Sequence, residues 1–223
     1  MSKILITAGS TIVPIDQVRN ISNIFKGRTG SEIALYLNSK GHEVTLITSN
    51  PDLAINLPSP NDPIEIIEFK TYDELFKAMH HAITNNQYDV IIHSAAVSDY
   101  EVRAVCVLDG QKLIPIDNKS KVSSDHKEIF LQLTPTLKII DLVRCWGFKG
   151  YLVKFKLQVG LSDDELITIA QKSRIASGAE MIVANCLEWS KSRAYIITEG
   201  KVMEVSREDL AKEINDCLIG EGL

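Results

Sequence analysis

The sequence predicts an α/β protein with a Rossmann-like, doubly wound and mostly parallel sheet, helices on both faces and an added β-hairpin at the edge. Two observations lead to this prediction. Apolar runs of strand length alternate with segments whose apolar residues recur at helical spacing. The run Asp89–His93 is also almost wholly apolar, as is typical of a central parallel strand buried on both faces. Because the 223 residues contain no repeat or linker, we expect a single domain over residues 1–223.

The composition narrows the class of protein. The hydrophobic content of 45% and the charged content of 24% are ordinary for a globular protein. A net charge of -5 argues against a nucleic-acid partner. The chain shows no signal peptide and no apolar run of membrane length, and its four cysteines are dispersed. We therefore expect a cytoplasmic protein with reduced thiols and no membrane partner.

The first elements form a βαβ unit. A strand beginning at Ile4 is followed by a long loop, a helix over Ser31–Lys40 that Gly41 ends, and a second strand over His42–Thr48. Such a connection is right-handed and makes the two strands parallel.

The rest of the chain is predicted from the same signals. Capping boxes at Thr71–Glu74 and Ser162–Glu165 each begin a helix. The further predictions are a loop over Asn50–Pro63, strands over Ile64–Phe69, Asp89–His93, Ile129–Leu133, Gly150–Leu157 and Glu180–Asn185, a helix over Thr136–Trp146, hairpins over Val102–Ile116 and Ala194–Ser206, and a last helix from about Arg207. The first hairpin turns at Asp109-Gly110 and supplies the added edge region.

The loop after the first strand indicates a phosphate site. A buried strand, a glycine-rich turn and a helix N-terminus bind phosphates in many α/β proteins. Here Gly9 and Gly27 lie too far apart for a tight turn, so the loop is long and is expected to be functional. We expect its apolar residues to order it, namely Val13, Ile15, Val18, Ile21, Ile24 and Phe25.

Candidate binding residues follow the predicted strands, because ligands of open parallel sheets bind beyond the carboxyl ends of the strands. Those that follow a strand are Gly9, Ser10, Thr11, Ala95, Ala96, Ser98, Asp99, Gln158 and Asn185, and Phe155 and Lys156 lie inside the end of the Gly150–Leu157 strand. Asp99 could bind a ribose hydroxyl, a base amino group or phosphate-held Mg²⁺, or it could simply shape a turn. Taken alone, Lys121 and Lys172 have the pattern of solvated lysines. No metal-ligand spacing, Walker motif or G-x-S-x-G sequence is present.

Four motifs occur together in the chain. They are Ile6–Thr11 with Pro14–Asn23 and Gly27–Gly30, then Ala95–Tyr100, Phe155–Leu157 and Ile182–Asn185. This combination resembles the phosphopantothenate–cysteine ligases (phosphopantothenoylcysteine synthetases) over nearly the whole chain. The resemblance implies a ligase of coenzyme A biosynthesis. In this family a nucleoside triphosphate activates the carboxylate of 4′-phosphopantothenate as an acyl-nucleotidylate, and the amine of L-cysteine then forms the amide of 4′-phosphopantothenoylcysteine.

The resemblance also implies cofactors and partners. Mg²⁺ accompanies the nucleotide phosphates and is not held in a direct protein cage, and a homodimer shares the active site. Nothing matches the flavin-binding decarboxylase fused to this domain in many bacterial members, so a stand-alone ligase without flavin is expected. CTP is the favoured nucleotide and ATP the competitor. The choice stays open because Thr134-Pro135-Thr136-Leu137 replaces a common Thr-Pro-Asp-Ile segment and Ala176 replaces a second lysine.

Roles for individual residues come from the resemblance alone. Asn23, which contacts the acyl intermediate, and Lys121, on a flap over the phosphates, are the catalytic residues that it implies. The implied substrate-binding residues are Arg19, which reaches the phosphopantothenate of a neighbouring subunit, Asn23 and Gly27. The implied nucleotide-binding residues are Gly9, Ser10, Ala95, Ala96, Asp99, Lys121, Phe155 and Lys172.

Two alternatives belong to other classes. An NAD(P)-dependent oxidoreductase would carry a charged ribose selector at the end of the second strand, where this chain has Thr48-Ser49-Asn50. It would also need a catalytic Tyr/Lys pair, and no lysine lies four residues after Tyr100. A catalytically silent nucleotide-binding protein is disfavoured because Arg19, Asn23, Asp99 and Lys121 are all present.

Overall fold

The computed structural model describes residues 1–55 and 63–223. Its strands are β1 (Lys3–Ala8), β2 (Ile12–Pro14), β3 (Asn20–Ser22), β4 (Glu43–Thr48), β5 (Glu65–Glu68), β6 (Val90–His93), β7 (Tyr100–Asp109), β8 (Lys112–Ile116), β9 (Phe130–Pro135), β10 (Tyr151–Gln158), β11 (Met181–Cys186), β12 (Arg193–Thr198) and β13 (Lys201–Ser206). The helices are α1 (Arg28–Ser39), α2 (Asp52–Ile55), α3 (Tyr72–Asn85), α4 (Ile139–Leu142), α5 (Asp163–Ala176) and α6 (Leu210–Gly220).

An eight-stranded sheet in the order β5-β4-β1-β6-β10-β11-β12-β13 forms the centre of the fold. The strands from β5 to β11 are parallel, and β12 and β13 add an antiparallel hairpin at one edge. The chain builds outward from β1 in one direction and then from β6 in the other, so the topological switch point lies between these two strands. The predicted Rossmann-like, mostly parallel sheet is confirmed.

Helices cover both faces of this sheet. Ile4 and Ile6 of β1 point to the face on which α1 and α6 pack, and Leu5 points to the opposite face beneath α3 and α4. On that second face α5 packs over β11 and β12, where Leu166 meets Ile182. The near-continuous apolar strands are therefore explained by burial on two sides.

The added edge region is a separate three-stranded antiparallel sheet in the order β8-β7-β9, which we call the arm. Its hairpin turns at Asp109-Gly110 as predicted, and β9 pairs with the other side of β7. Several large apolar side chains of the arm are exposed, namely Tyr100, Leu108, Leu113, Ile114, Phe130 and Leu133. Exposed apolar residues grouped in this way commonly mark an interaction surface.

The helix predicted over Thr136–Trp146 is wrong for most of its length, since only Ile139–Leu142 is helical. Its proposed start is held in another way: Thr136 donates its backbone N–H to the Asp99 carbonyl at 2.9 Å and its hydroxyl to the Ser98 carbonyl at 2.7 Å. These long-range bonds fix the position of Thr136 next to the loop after β6. The predicted loop over Asn50–Pro63 contains α2, and its residues 56–62 lie outside the described residues.

The long loop after β1 is folded as the small β2–β3 hairpin. The expectation that its apolar residues order it is only partly right, because Val13 is buried whereas Val18, Ile21 and Ile24 are 65%, 40% and 74% exposed. Much of the order in the loop comes instead from one polar side chain, that of Asp16. The buried Asp16 carboxylate accepts the backbone N–H groups of Val18 and Arg19, both at 2.8 Å.

The loop ends where it began, because Gly27 lies directly against Gly9. A Cβ on Gly27 would overlap the Gly9 backbone nitrogen, and it would lie 2.6 Å from Gly9 Cα and 3.1 Å from the Ala8 carbonyl carbon. A Cβ on Gly30 would likewise lie 2.7 Å from Ala8 Cβ. The two glycines thus let the first turn of α1 sit on the carboxyl end of β1, as the glycines of a tight phosphate-binding turn do.

Gly27→Ala should therefore destabilise the protein more than Gly41→Ala does. Both glycines have positive φ, of 87° and 92°, so each substitution costs about 1 kcal/mol in backbone strain. Only Gly27 has a backbone within 4 Å of the new methyl group, and this clash should add about 2 kcal/mol. Urea unfolding of the two variants measures the difference, and equal losses would contradict the close contact between Gly9 and Gly27.

Candidate active site at the switch point

The loops after β1 and β6 are bonded to each other at the switch point. Ala96 donates its N–H to the Gly9 carbonyl at 2.8 Å, and Thr11 returns an N–H to the Ala96 carbonyl at 3.2 Å. Ser98 donates its N–H to the Thr11 hydroxyl at 2.8 Å. The predicted residues Gly9, Ala95 and Ala96 therefore lie in one small-residue floor, against which a flat ring or a sugar can lie.

Ser10 and Asp99 flank this floor. Ser10 is buried, and its N–H donates to the Ser49 hydroxyl at 2.9 Å, which ties the loop to the end of β4. Asp99 is exposed at the far end of the loop after β6. Its carboxylate has no hydrogen bond or ion pair within residues 1–55 and 63–223, although its backbone carbonyl is used by Thr136. The carboxylate is thus available to a ligand or to a ligand-bound cation.

The N-terminus of α1 points at the same edge and is open. Gly27 is its N-cap residue, no side chain caps it, and its first turn contains no acidic residue. The Ser31 hydroxyl is buried in this turn and lacks a hydrogen-bond partner among the described residues. Uncapped N–H groups and the positive end of the helix dipole favour an anionic group at this position.

The two residues predicted to be catalytic are both exposed and unengaged. Asn23 follows β3 in the stretch that leads to Gly27, and Lys121 lies in the polar segment between β8 and β9. In the part of the chain that the structure describes, neither side chain has a hydrogen bond or an ion pair. Their amide and ammonium groups are therefore available for a substrate.

Arg19 has a fixed position. Its guanidinium forms an ion pair with Asp16 and donates Nη2 to the Val122 carbonyl at 2.7 Å. This ion pair, with the N–H groups of Val18, Arg19 and Val122, holds the pKa of Asp16 well below its usual range. Nη1 of Arg19 has no partner among the described residues, so one edge of the guanidinium stays open.

A groove of about 450 Å³ runs beside this ion pair. It is lined by Ile12, Pro14, Ile15, Asp16, Gln17, Val18, Arg19, Asn20, Asn118 and Lys119. Because the Asp16 carboxylate is already neutralised by Arg19, Lys119 leaves the groove with a positive balance that suits an acidic ligand.

Phe155 and Lys172 complete the predicted set. Phe155 lies half-buried in the last half of β10, packed on the face that carries α1 and α6. Lys172 is exposed in the third turn of α5, roughly 13 Å along the helix axis from its first residue. No described contact brings Lys172 to the floor of small residues, and its role stays a prediction.

A buried polar group lies beneath the floor of small residues and was not predicted as part of the site. Thr7 Oγ1 accepts the Ala95 N–H at 3.2 Å and shares a hydrogen bond of 2.9 Å with Nδ1 of His93. Lys154 is the strand neighbour of His93, and its buried ammonium donates to the Ser173 carbonyl at 3.2 Å and to the Ser177 hydroxyl at 3.1 Å. The sequence signal that could have indicated this buried polar group is a lysine within an otherwise apolar strand segment.

Burial controls the charge of these groups. Burial, with a smaller contribution from the Lys154 cation, lowers the pKa of His93 to about 4, and burial also lowers the pKa of Lys154. The imidazole is thus neutral near pH 7 and acts as a hydrogen-bonding support for Thr7.

The described residues contain neither a cluster of metal ligands nor a membrane-spanning helix. In the ranges 1–55 and 63–223, no three side chains of His, Cys, Asp or Glu are grouped to hold a metal ion. No helix in these ranges is long and apolar enough to cross a membrane. All four cysteines are free thiols.

The fold and the arrangement of the loops after β1 and β6 define a class: an α/β protein with a candidate site for an anionic ligand at the switch point of a Rossmann-like sheet. The particular family follows from sequence comparison. The chain belongs to the family described as DNA/pantothenate metabolism flavoprotein C-terminal domain, whose model matches residues 1–218. This match confirms the family indicated by the four motifs.

Individual relatives agree with this assignment. The coenzyme A biosynthesis bifunctional protein CoaBC of Thermococcus kodakarensis is 34% identical over 213 residues, 95% of this chain and 46% of that protein. The protein of the same name from Methanocaldococcus jannaschii is 28% identical over 225 residues, 98% of this chain and 49% of that one. The crystal structure of the DNA/pantothenate metabolism flavoprotein from Streptococcus pneumoniae has a TM-score of 0.85 and 32% identity, covering 99% of this chain and 100% of that chain.

The chain spans about half the length of the two curated CoaBC proteins. The oxidoreductase alternative gains no support from the comparisons.

The buried His93 makes stability depend on pH. The unfolded chain binds a proton at this imidazole below its ordinary pKa of 6.5, whereas the folded protein does so only below about 4. The free energy of unfolding should therefore fall as the pH drops through this window, by at most about 3 kcal/mol from this group. His93→Asn keeps an acceptor for Thr7 and should flatten the dependence, as measured by chemical unfolding across the window.

His126→Asn is the matched control, because His126 is exposed in the polar segment. It should retain the pH dependence of the unmodified protein. An equal slope in the His93 and His126 variants would contradict a buried neutral imidazole at position 93.

Proposed function

We propose that this protein is a phosphopantothenate–cysteine ligase of coenzyme A biosynthesis. The observation that carries the proposal is the contact of Gly27 with Gly9. This contact brings the open N-terminus of α1, and the stretch of chain from Asn23 to Gly27, to the floor of small residues at the switch point. Family membership supports it, since the bifunctional relatives carry coenzyme A biosynthesis in their names. The four free thiols agree with a cytoplasmic location.

In this proposal the nucleotide lies on the floor of Gly9, Ala95 and Ala96, with CTP favoured and ATP as the competitor. Ser10 and Phe155 border it, and Lys172 is proposed as a further contact. Asp99 fits a Mg²⁺ ion carried by the phosphates, because magnesium in such sites takes one or two carboxylates and completes its shell with phosphates and water. Bound there, Mg²⁺ would neutralise charge on the leaving pyrophosphate.

The first step forms the acyl-nucleotidylate. A carboxylate oxygen of 4′-phosphopantothenate attacks the α-phosphorus, the bond to the β-phosphate oxygen breaks, and pyrophosphate leaves. Both reactants are anions, so the protein must hold them in line and offset their repulsion. The Lys121 ammonium does so at the phosphates, and the open end of α1 adds a positive potential.

The second step forms the amide without a flavin. The amine of L-cysteine attacks the acyl carbon, the nucleoside monophosphate leaves with one carboxylate oxygen, and the amine loses a proton. Asn23 donates its amide N–H to the acyl oxygen as charge develops there. A preorganised donor of this kind contributes only when it is aimed at the developing charge.

The proposed site is shared in a homodimer. The arm exposes a group of apolar side chains, including Leu113 and Phe130, that a second copy can cover. The groove with the open edge of Arg19 would then face the phosphopantothenate bound by the neighbouring subunit.

Pyrophosphate release tests the function. The purified protein is incubated with Mg²⁺, 4′-phosphopantothenate and L-cysteine, with CTP and ATP in parallel reactions. Release that requires 4′-phosphopantothenate supports the ligase and identifies the nucleotide. No release with either nucleotide from folded protein would contradict it, and NAD(P) binding would be measured next.

Asn23→Asp should slow amide formation by about a hundredfold, because it removes the N–H donor and adds a negative charge beside a phosphoryl anion. The fold should be unaffected, since Asn23 is exposed. Single-turnover decay of the acyl-nucleotidylate on addition of cysteine gives the rate. Asn85→Asp makes the same charge change at the end of α3, which leads into the amino end of β6, and should leave the rate unchanged.

Lys121→Ala should raise the KM for the nucleoside triphosphate by about tenfold or more, because an ammonium that neutralises phosphate charge is lost. Steady-state rates over a range of nucleotide concentrations measure the effect. Lys127→Ala, in the same exposed segment, should keep the original KM. An unchanged KM in both variants would mean that Lys121 is only a solvated lysine.

A further inference from the structure

The Asp16 carboxylate is buried in an otherwise exposed turn, with a side chain that is 0% exposed. Its Oδ1 accepts the N–H groups of Val18 and Arg19, both at 2.8 Å, and this closes the turn between β2 and β3. Its Oδ2 faces elsewhere and accepts Nε and Nη2 of Arg19 together with the N–H of Val122, the last at 3.0 Å. Oδ1 therefore closes the turn, whereas Oδ2 binds Arg19 and connects the turn to Val122.

The second oxygen joins two stretches that lie about a hundred residues apart in the chain. Val122 is also held through its carbonyl, which accepts Nη2 of Arg19 at 2.7 Å, and its side chain is buried. Asn118 adds another bond, from its amide nitrogen to the Ile15 carbonyl at 2.9 Å. The segment 118–122 is thus fixed at both ends on the turn 15–19, and Lys121 precedes one of the fixed residues.

We propose that Asp16 is a positioning residue, whose Oδ2 latches the segment 118–122 onto the turn 15–19 and so orients Lys121 and Arg19 before any ligand binds. A long lysine on a free polar segment would lose much conformational entropy on meeting a phosphate. The latch removes part of that cost. The catalytic consequence rests on the proposed function, whereas the latch itself does not.

Asp16→Asn tests the attachment made by Oδ2 separately from the turn closed by Oδ1. The Asn oxygen can still accept the N–H groups of Val18 and Arg19, so the turn can close. The amide nitrogen then replaces Oδ2 and meets N–H donors of Arg19 and Val122, which opposes the latch. Asn118→Ala is a second variant that weakens the same attachment and leaves the Asp16–Arg19 ion pair in place.

Limited trypsin digestion of the full chain tests the latch without any substrate. In Asp16→Asn, cleavage after Lys119 and Lys121 should become at least about tenfold faster, because these bonds are exposed when the segment opens. Asn118→Ala should accelerate the same cleavages by a few-fold. Cleavage after Lys127 should be unchanged in both variants.

Asp125→Asn is the matched control, because Asp125 lies in the same polar segment and its carboxylate accepts, within the described residues, only the Ser123 hydroxyl. It should be digested like the unmodified protein. Unchanged cleavage after Lys119 and Lys121 in both Asp16→Asn and Asn118→Ala would overturn the latch.

Kinetics then test the positioning role. Asp16→Asn should raise the KM for the nucleotide and for 4′-phosphopantothenate by about tenfold each, whereas a loss of folded protein would lower only the maximal rate. Faster digestion with both KM values unchanged would overturn the positioning role. If the unmodified protein releases no pyrophosphate, the proposed function fails, and the digestion pattern still decides whether the latch exists.

Discussion

The backbone contact between Gly9 and Gly27 is the constraint on which the candidate site depends. In a tight glycine-rich turn the strand and the helix are joined by a few residues, and their geometry follows from the chain itself. Here the β2–β3 hairpin is inserted between them, and the strand and helix are brought back together by two residues that lack a Cβ. Arg19 and Asn23 belong to this insertion, which lies in the chain between the end of β1 and the open N-terminus of α1. The β2–β3 hairpin thus extends a strand–turn–helix arrangement of the phosphate-binding type by a segment that carries the proposed substrate-binding residues.

At this edge several positive groups are left free, whereas the charge of the buried Asp16 is compensated within the protein and the carboxylate of Asp99 is exposed. Asp16 is neutralised by Arg19 within the protein, so that it stabilises the turn without repelling an anion. His93 stays neutral beneath the floor, and Lys154 directs its charge toward the end of α5. Lys121, one edge of Arg19 and the first turn of α1 remain available to phosphate groups. This division fits a reaction that must bring a carboxylate and a triphosphate together.

Much of the fold could be predicted from local signals in the sequence. Apolar runs such as Asp89–His93 indicate buried strands, and capping boxes indicate where helices begin. The mostly parallel sheet followed from these local signals, and so did the placement of the candidate residues at the strand ends. The prediction of a helix over Thr136–Trp146 is wrong because Thr136 is hydrogen-bonded to the distant residues Ser98 and Asp99. The ordering of the long loop was partly misjudged for the same reason, since Asp16 finds its partner Val122 about a hundred residues away. Long-range partners of polar residues leave no periodic pattern in a single sequence.

In the proposed reaction the carboxylate is activated by transfer of a nucleotidyl group at the switch point. Heavy-oxygen labelling of the 4′-phosphopantothenate carboxylate tests it most directly, because one carboxylate oxygen must leave with the nucleoside monophosphate when the amide forms. Mass spectrometry of the products after turnover with L-cysteine locates the label. We expect one labelled oxygen in the nucleoside monophosphate and none in pyrophosphate. Label in inorganic phosphate, which would indicate an acyl phosphate, or no transfer of label during amide formation would contradict it.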